Sequence, residues 1–249
     1  MSDLVLLTTA GNTAILTLHR PEARNAMSVD LLAALNAALD GLAQRADISV
    51  LTITGAGKSF CAGMDLKAVL DSPNAMGTLL HALADVCLKI RALPMVTLAK
   101  VHGAAIGGGC GLACVCDLAI THADAKVGYP EVDLGVCPAV VAPVLVRKIG
   151  AGRARRVLLT GGLMSGQQAF DLGLVDHVVP TLAELDSAAA DLAARLAKGG
   201  PNALRATKDL LNTLDGSLDA AIAHRGADLS AAIVASPETQ TILRAKLGK

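Results

Sequence analysis

The sequence predicts an α/β region over residues 1–180 and an all-helical region over 181–249. Three observations lead there. As far as Val179, short β-branched runs alternate with runs of helical period. Beyond Thr181 only the helical period remains, interrupted by Gly199-Gly200-Pro201, Asp215-Gly216 and Ser236-Pro237. Apolar residues make up 53% of the chain, enough for a sizeable core. With Phe60, Tyr129 and Phe170 as the whole aromatic content, that core must be aliphatic.

The elements follow in order. Leu4 to Thr9 and Thr13 to His19 read as two strands of a hairpin around Ala10-Gly11-Asn12. Ser28 can cap a helix whose apolar stripe is Leu31, Leu35, Leu39 and Leu42. Val50 to Thr54 is a strand ending at Gly55. Leu79 to Leu93 is a helix stopped by Pro94, and Met95 to Val101 the next strand. Leu118 to Thr121 is a further strand. Ser165 and Gln168 form a capping box for a helix ending near Gly173. Thr181 and Glu184 form a second box, and helices follow at 184–198, 202–214, 217–235 and 237–247.

Lysine plus arginine and aspartate plus glutamate both number 22, so the formal net charge is zero. A neutral chain lacks the broad field that drives nucleic-acid binding, and three scattered aromatics make no base-stacking platform. The start, Met1 to Thr9, has no basic region before an apolar run, so no secretory signal is expected. Val101–Ile120 and Leu134–Val146 are too interrupted by polar residues, glycine or proline to span a membrane. Six cysteines without a signal then suggest reduced thiols in a cytoplasmic protein.

Several motifs are set aside. Gly55-Ala-Gly-Lys-Ser59 resembles the end of a phosphate-binding loop, but Thr52 stands where that loop needs its first glycine. Cys110, Cys114 and Cys116 lack the second ligand pair of a zinc site, so no metal is expected. Arg147, Lys148, Arg153, Arg155 and Arg156 read as a solvated face or subunit contact.

Three segments carry chemistry. Gly107-Gly108-Gly109-Cys110-Gly111 stands between a strand and an apolar run that reads as a helix. Its backbone N–H groups could face an anion or a developing oxyanion. Phe60-Cys-Ala-Gly-Met-Asp-Leu66 follows a strand and could supply another donor. Glu131 lies among Val127, Val132, Leu134 and Val136, an apolar setting that raises a carboxyl pKa towards the acid–base range.

In family order, the chain carries His19-Arg-Pro-Glu-Ala-Arg-Asn-Ala-Met-Ser28, Phe60-Cys-Ala-Gly-Met-Asp-Leu-Lys67 and Val101-His-Gly-Ala-Ala-Ile-Gly-Gly-Gly109. Cys116-Asp-Leu-Ala119, Pro130-Glu131, Leu158-Leu-Thr-Gly161 and Ala169-x-x-Leu-Gly-Leu-Val175 follow. The ordered set resembles the enoyl-CoA hydratase/isomerase, or crotonase, superfamily. The resemblance implies a spiral of ββα units with a C-terminal helical trimerisation region, assembled as a homotrimer or a dimer of trimers. It implies an acyl-CoA substrate, with coenzyme A as part of that substrate and no separate cofactor. By position, the N–H groups of Met64 and Gly108 would form the oxyanion hole and Glu131 would be the acid–base. Met64, Asp65, Leu66 and Lys67 would line the substrate. Arg24 and Lys67 would meet the coenzyme A phosphates, and the backbone near Ala26 and Ala62 the adenine. Lys246 is a further candidate phosphate contact.

Two departures bear on the reaction. Gly111 stands where a typical hydratase of the family has a second glutamate, and Pro138-Ala-Val-Val-Ala-Pro143 replaces a glycine-rich Pro-Gly-x-Gly-Gly. The pair resembles a subgroup with methylglutaconyl-CoA hydratase-like proteins, so hydration is expected. A Δ3,Δ2-enoyl-CoA isomerase using Glu131 as sole proton shuttle and a non-catalytic acyl-CoA binder are the alternatives.

Overall fold

A computed structural model describes residues 3–66 and 73–247. The hairpin forms as expected: β1 (Val5–Ala10) pairs antiparallel with β2 (Thr13–Leu18). β3 (Val50–Gly55), β4 (Val96–Val101), β6 (Leu118–His122) and β9 (His177–Val179) extend it in parallel. The sheet order is β1-β2-β3-β4-β6-β9. β3 and β4 are central and nearly continuously buried because both their faces are covered. A second sheet, β5-β7-β8, joins β5 (Ala104–Ile106), β7 (Lys126–Gly128) and β8 (Leu163–Ser165).

One face of the large sheet carries α1 (Val29–Ala43), α2 (Pro73–Ala92) and α3 (Gly108–Val115). The Ser28 hydroxyl accepts from Leu31 N at 3.2 Å, and Leu31, Leu35, Leu39 and Leu42 are all buried. The capped stripe read from the sequence is therefore the one that packs. α2 begins at Pro73, earlier than the predicted Leu79. The opposite face is covered by α7 (Leu182–Ala197), whose Leu185, Ala189, Leu192 and Ala193 meet Val50, Val96, Leu98 and Ile120.

α4 (Ala142–Ile149) and α5 (Ala151–Thr160) arise in a segment whose prolines and arginines do not read as helix. Pro143 lies in the first turn, where the missing N–H has no cost. α6 (Gly166–Leu172) opens on the predicted capping box, with Ser165 and Gln168 bonded both ways at 3.1 and 2.9 Å. The second predicted box does not form. Thr181 Oγ1 donates to Glu184 Oε1 at 2.7 Å, so the two side chains satisfy each other instead of the backbone.

α8 (Pro201–Asp215), α9 (Ala220–Val234) and α10 (Pro237–Leu247) complete the chain close to their predicted bounds. α8 is anchored by Lys208, 6% exposed, which reaches Asp117 at 2.8 Å and donates to Met95 O at 2.9 Å. α9 lies against α2. His81 Nε2 is 2.9 Å from Asp228 Oδ1, and His224 Nε2 is 2.9 Å from Asp85 Oδ1. These pairs hold α9 beside the site described next. No helix among the described residues is long and apolar enough to cross a membrane.

Candidate active site

The site is built where two loops and one helix start meet. The first loop follows a short helical turn, Pro21–Ala23, and contains Arg24 and Asn25, both in left-handed backbone at φ 52° and 56°. Asn25 is fully buried. Its carboxamide oxygen accepts from Arg20 N at 2.9 Å. Its amide nitrogen donates to the carbonyls of Ala56, Ser59 and Phe60 at 2.9, 2.8 and 3.2 Å. One side chain thus ties this loop to the loop leaving β3.

The second loop, residues 61–66, then zips along the first. Ala62 N donates to Arg24 O, Met27 N to Gly63 O and Asp65 N to Met27 O, at 2.7–3.0 Å. This is a parallel bridge between Met27 and Met64. In a parallel bridge one residue, here Met27, makes both hydrogen bonds, and the N–H of the residue opposite it, Met64, points away from that strand. The Met64 N–H accordingly finds no acceptor among the described residues. On its other side Cys61 pairs with β5, donating to Ala104 O and accepting from Ile106 N at 3.0 Å each.

β5 leads directly into Gly107 and the start of α3. Gly107 has φ 55° and ψ −124°, a conformation for which glycine is suited. Its N–H donates to Gly128 O at 2.8 Å. The next residue, Gly108, begins the helix, so its N–H has no intrahelical partner and carries the positive end of the helix dipole. A Cβ on Gly108 would lie 2.7 Å from Met27 Cε, 3.1 Å from Leu83 Cδ2 and 3.9 Å from Met64 Cγ. Gly108 and Met64 are therefore neighbours, each with a backbone N–H unpaired among the described residues.

Glu131 follows β7 and is 8% exposed. Its Oε1 lies where a Cβ on Gly107 would come within 2.8 Å. Its Oε2 is buried with no hydrogen-bond partner among the described residues. Burial pushes the carboxyl up from its ordinary 4.5 to about 7, against a smaller opposing effect of a backbone hydrogen bond. The apolar setting read from the sequence thus has its expected consequence. Met64, Gly108 and Glu131 line one cavity with Leu80, Leu83, Cys137, Pro138, Val140, Val141 and Ser230. Two unpaired N–H donors beside a carboxyl that titrates near neutrality can hold a developing oxyanion and move a proton.

Five of the other predicted contacts, Arg24, Ala26, Ala62, Asp65 and Leu66, sit on the two zipped loops. Arg24 is exposed, Ala26 and Ala62 are half-buried, and the zipped loops bring the three together. Asp65 is ion-paired to Arg20 at 2.8 Å, which gives it a place in holding the loop. Leu66 is half-buried, its N–H on Met64 O at 2.9 Å. Lys67 lies outside the described residues. Lys246 is exposed on α10. Among the described residues, no group of three or more His, Cys, Asp or Glu side chains could hold a metal ion.

Asn25 and Val141 have no role read for them in the sequence beyond their place in the His19–Ser28 and Pro138–Pro143 motifs, and Gly107 only its place in the glycine run. Buried contacts alone distinguish them. At Gly111, a Cβ would overlap Val141 Cγ1 and lie 2.9 Å from Val141 Cβ. The two departures noted in the sequence are therefore one structural feature: the side chain of Val141 fills the space beside Gly111.

Comparison with known proteins agrees with the architecture. A family model described as "Enoyl-CoA hydratase/isomerase" matches residues 8–240. The 2,3-dehydroadipyl-CoA hydratase of Escherichia coli is 35% identical over 212 residues, covering 85% of this chain and 82% of that protein. The short-chain-enoyl-CoA hydratase of Clostridium acetobutylicum is 31% identical over 211 residues, covering 84% and 80%. The crystal structure of an enoyl-CoA hydratase/isomerase from Xanthobacter autotrophicus Py2 superposes with a TM-score of 0.88 at 28% identity, covering 100% of this chain and 97% of that one.

Proposed function

The chain belongs to the enoyl-CoA hydratase/isomerase family and is an enzyme of that family; from this we propose that it adds water to a 2-enoyl-CoA thioester, with Glu131 as its single acid–base. The observation that carries the reading is the buried, unpartnered Glu131 Oε2 in the cavity shared with Met64 and Gly108. The thioester oxygen accepts from the N–H groups of Met64 and Gly108. Glu131, ionised, takes a proton from water as the water oxygen bonds to the β carbon. The π electrons pass to the thioester oxygen as an enolate. Glu131 then returns the proton to the α carbon and the carbonyl re-forms. The two N–H donors act mainly on the enolate, and one such donor is worth roughly a hundredfold to a thousandfold in rate.

Arg24, Lys67 and the backbone at Ala26 and Ala62 are assigned to coenzyme A. Lys246 is kept as a further phosphate contact. Residues 181–249 are assigned to association as a trimer or a dimer of trimers. Exposed Leu210, Leu211, Leu214 and Leu218, with Ile222 and Leu229, support that assignment.

One observation favours a second reaction. With Val141 against Gly111, the cavity has no second carboxyl among its described lining residues to orient water. A proton shuttle from the α to the γ carbon of a 3-enoyl-CoA needs only Glu131. Hydration of 2-enoyl-CoA and isomerisation of 3-enoyl-CoA should be measured for wild type and Glu131→Gln. A loss of at least about a hundredfold in hydration is expected for the variant. Equal activity of both proteins would remove Glu131 from the mechanism. Wild-type activity confined to 3-enoyl substrates would make isomerisation the reaction.

A further inference from the structure

The two backbone donors differ in what stands behind them. The Gly108 N–H has the dipole of α3 behind it. The Met64 N–H stands in a loop. It belongs to the Gly63–Met64 peptide, whose carbonyl accepts from Met27 N at 2.7 Å. Met27 N belongs in turn to the Ala26–Met27 peptide, whose carbonyl accepts from Arg20 Nη1 at 3.1 Å. A cation, two peptide groups and the donor are thus joined head to tail. In a trans peptide the N–H points opposite to the C=O, so the dipoles along this chain add. The Met27–Gly63 bond lies at the short end of the N–H···O range.

Arg20 is held in this contact from two further sides. Its own N–H donates to Asn25 Oδ1 at 2.9 Å. Nη1 also reaches Asp65 Oδ2 at 2.8 Å, so its two hydrogens serve Ala26 and Asp65. The two side chains are 24% and 18% exposed. Asp65 follows Met64, and its N–H is bound to Met27 O at 3.0 Å. The carboxylate beside the guanidinium offsets its long-range field, so the cation acts through contact along the chain. We propose that Arg20 is a positioning residue that orients and polarises the Met64 N–H through the peptides at Ala26 and Gly63, an inference that rests on the thioester reading above. A donor of this kind is worth roughly a hundredfold to a thousandfold, and chained hydrogen bonds strengthen one another by roughly 10–30% per bond. Two such bonds give Arg20 a share of at least about threefold.

The test compares acetoacetyl-CoA, which ionises to an enolate, with butyryl-CoA, which stays neutral. Calorimetry gives both affinities for wild type, Arg20→Gln and Arg20→Lys. A pH titration of the enolate absorbance gives the pKa of bound acetoacetyl-CoA. Wild type should lower that pKa from its value in solution. Arg20→Gln should weaken the enolate at least about threefold more than butyryl-CoA, and raise the bound pKa by about 0.5, the same threefold. Arg20→Lys keeps a cation without the planar fork, so it should lose the enolate selectively but by less. It decides the matter if the glutamine variant does not fold. Equal losses for the two ligands in the folded variants, or no loss, overturn the proposal, since a mere staple of the loop acts on both alike. A wild-type pKa unchanged on binding removes the oxyanion role of Met64 and Gly108 and this inference with it. A pKa lowered in wild type and equally lowered in Arg20→Gln overturns this inference alone.

Discussion

Replacing Glu131 by glutamine should change how the stability of the protein depends on pH. The carboxyl is 8% exposed, and burial lifts it from 4.5 to about 7. The native state therefore keeps a proton that the unfolded chain releases above pH 4.5. Where the native state binds more protons than the unfolded one, stability falls as pH rises. Well below pH 4.5 both states are protonated and the contribution is whole. It is lost through the window from 4.5 to about 7 and is constant above it. Each pH unit there is worth about 1.4 kcal/mol, so the whole window is worth about 3 kcal/mol. The introduced glutamine cannot ionise, so the variant lacks this loss, while the other titrating groups largely cancel in the difference. Urea unfolding of both proteins from about pH 4.5 to 8.5 reads it directly. Relative to wild type, the variant should gain about 3 kcal/mol between the two ends. A difference that stays constant across the range would refute the argument that desolvation governs this carboxyl.

Three further outcomes follow from named contacts. Gly107→Ala places a Cβ 2.8 Å from Glu131 Oε1 in a backbone at φ 55°. Its kcat/KM should fall at least about a hundredfold by steady-state kinetics, since small misplacements at a reacting centre cost that much. Asn25→Ala strands Arg20 N and the carbonyls of Ala56, Ser59 and Phe60. Urea melts should show a loss of about 3 kcal/mol. Gly111→Glu collides with Val141 and should destabilise the fold. Adding Val141→Gly should recover at least about 1 kcal/mol of that loss in the same assay, as expected of coupled neighbours.

What is legible in the sequence is local. The leucine stripe of α1, its Ser28 cap and the C-terminal helix breaks all act over a few residues, and they pack as read. β5, β7, β8 and β9 have three residues each, too few to show an alternation. α4 and α5 escape because Pro138 and Pro143 interrupt the segment, though Pro143 suits a first turn, and because a run of arginines read as a solvated face or subunit contact does not by itself define a helix. In the site, Glu131 announces itself through its apolar neighbours, and the glycine run through its density. Asn25 and Val141 stand inside the His19–Ser28 and Pro138–Pro143 motifs, but nothing local sets them apart from their neighbours there. Their importance lies in contacts with Ser59, Phe60 and Gly111, 34, 35 and 30 positions away, which no local pattern encodes.

Everything proposed for the reaction depends on one arrangement, in which Met64 and Gly108 hold the thioester oxygen while Glu131 faces the reacting carbons. A crystal structure with bound butyryl-CoA reads it out. The thioester oxygen should lie about 3 Å from both backbone nitrogens, with a Glu131 carboxylate oxygen against the α and β carbons. A thioester turned away from Gly108, or an acyl group beyond the reach of Glu131, would rule that arrangement out.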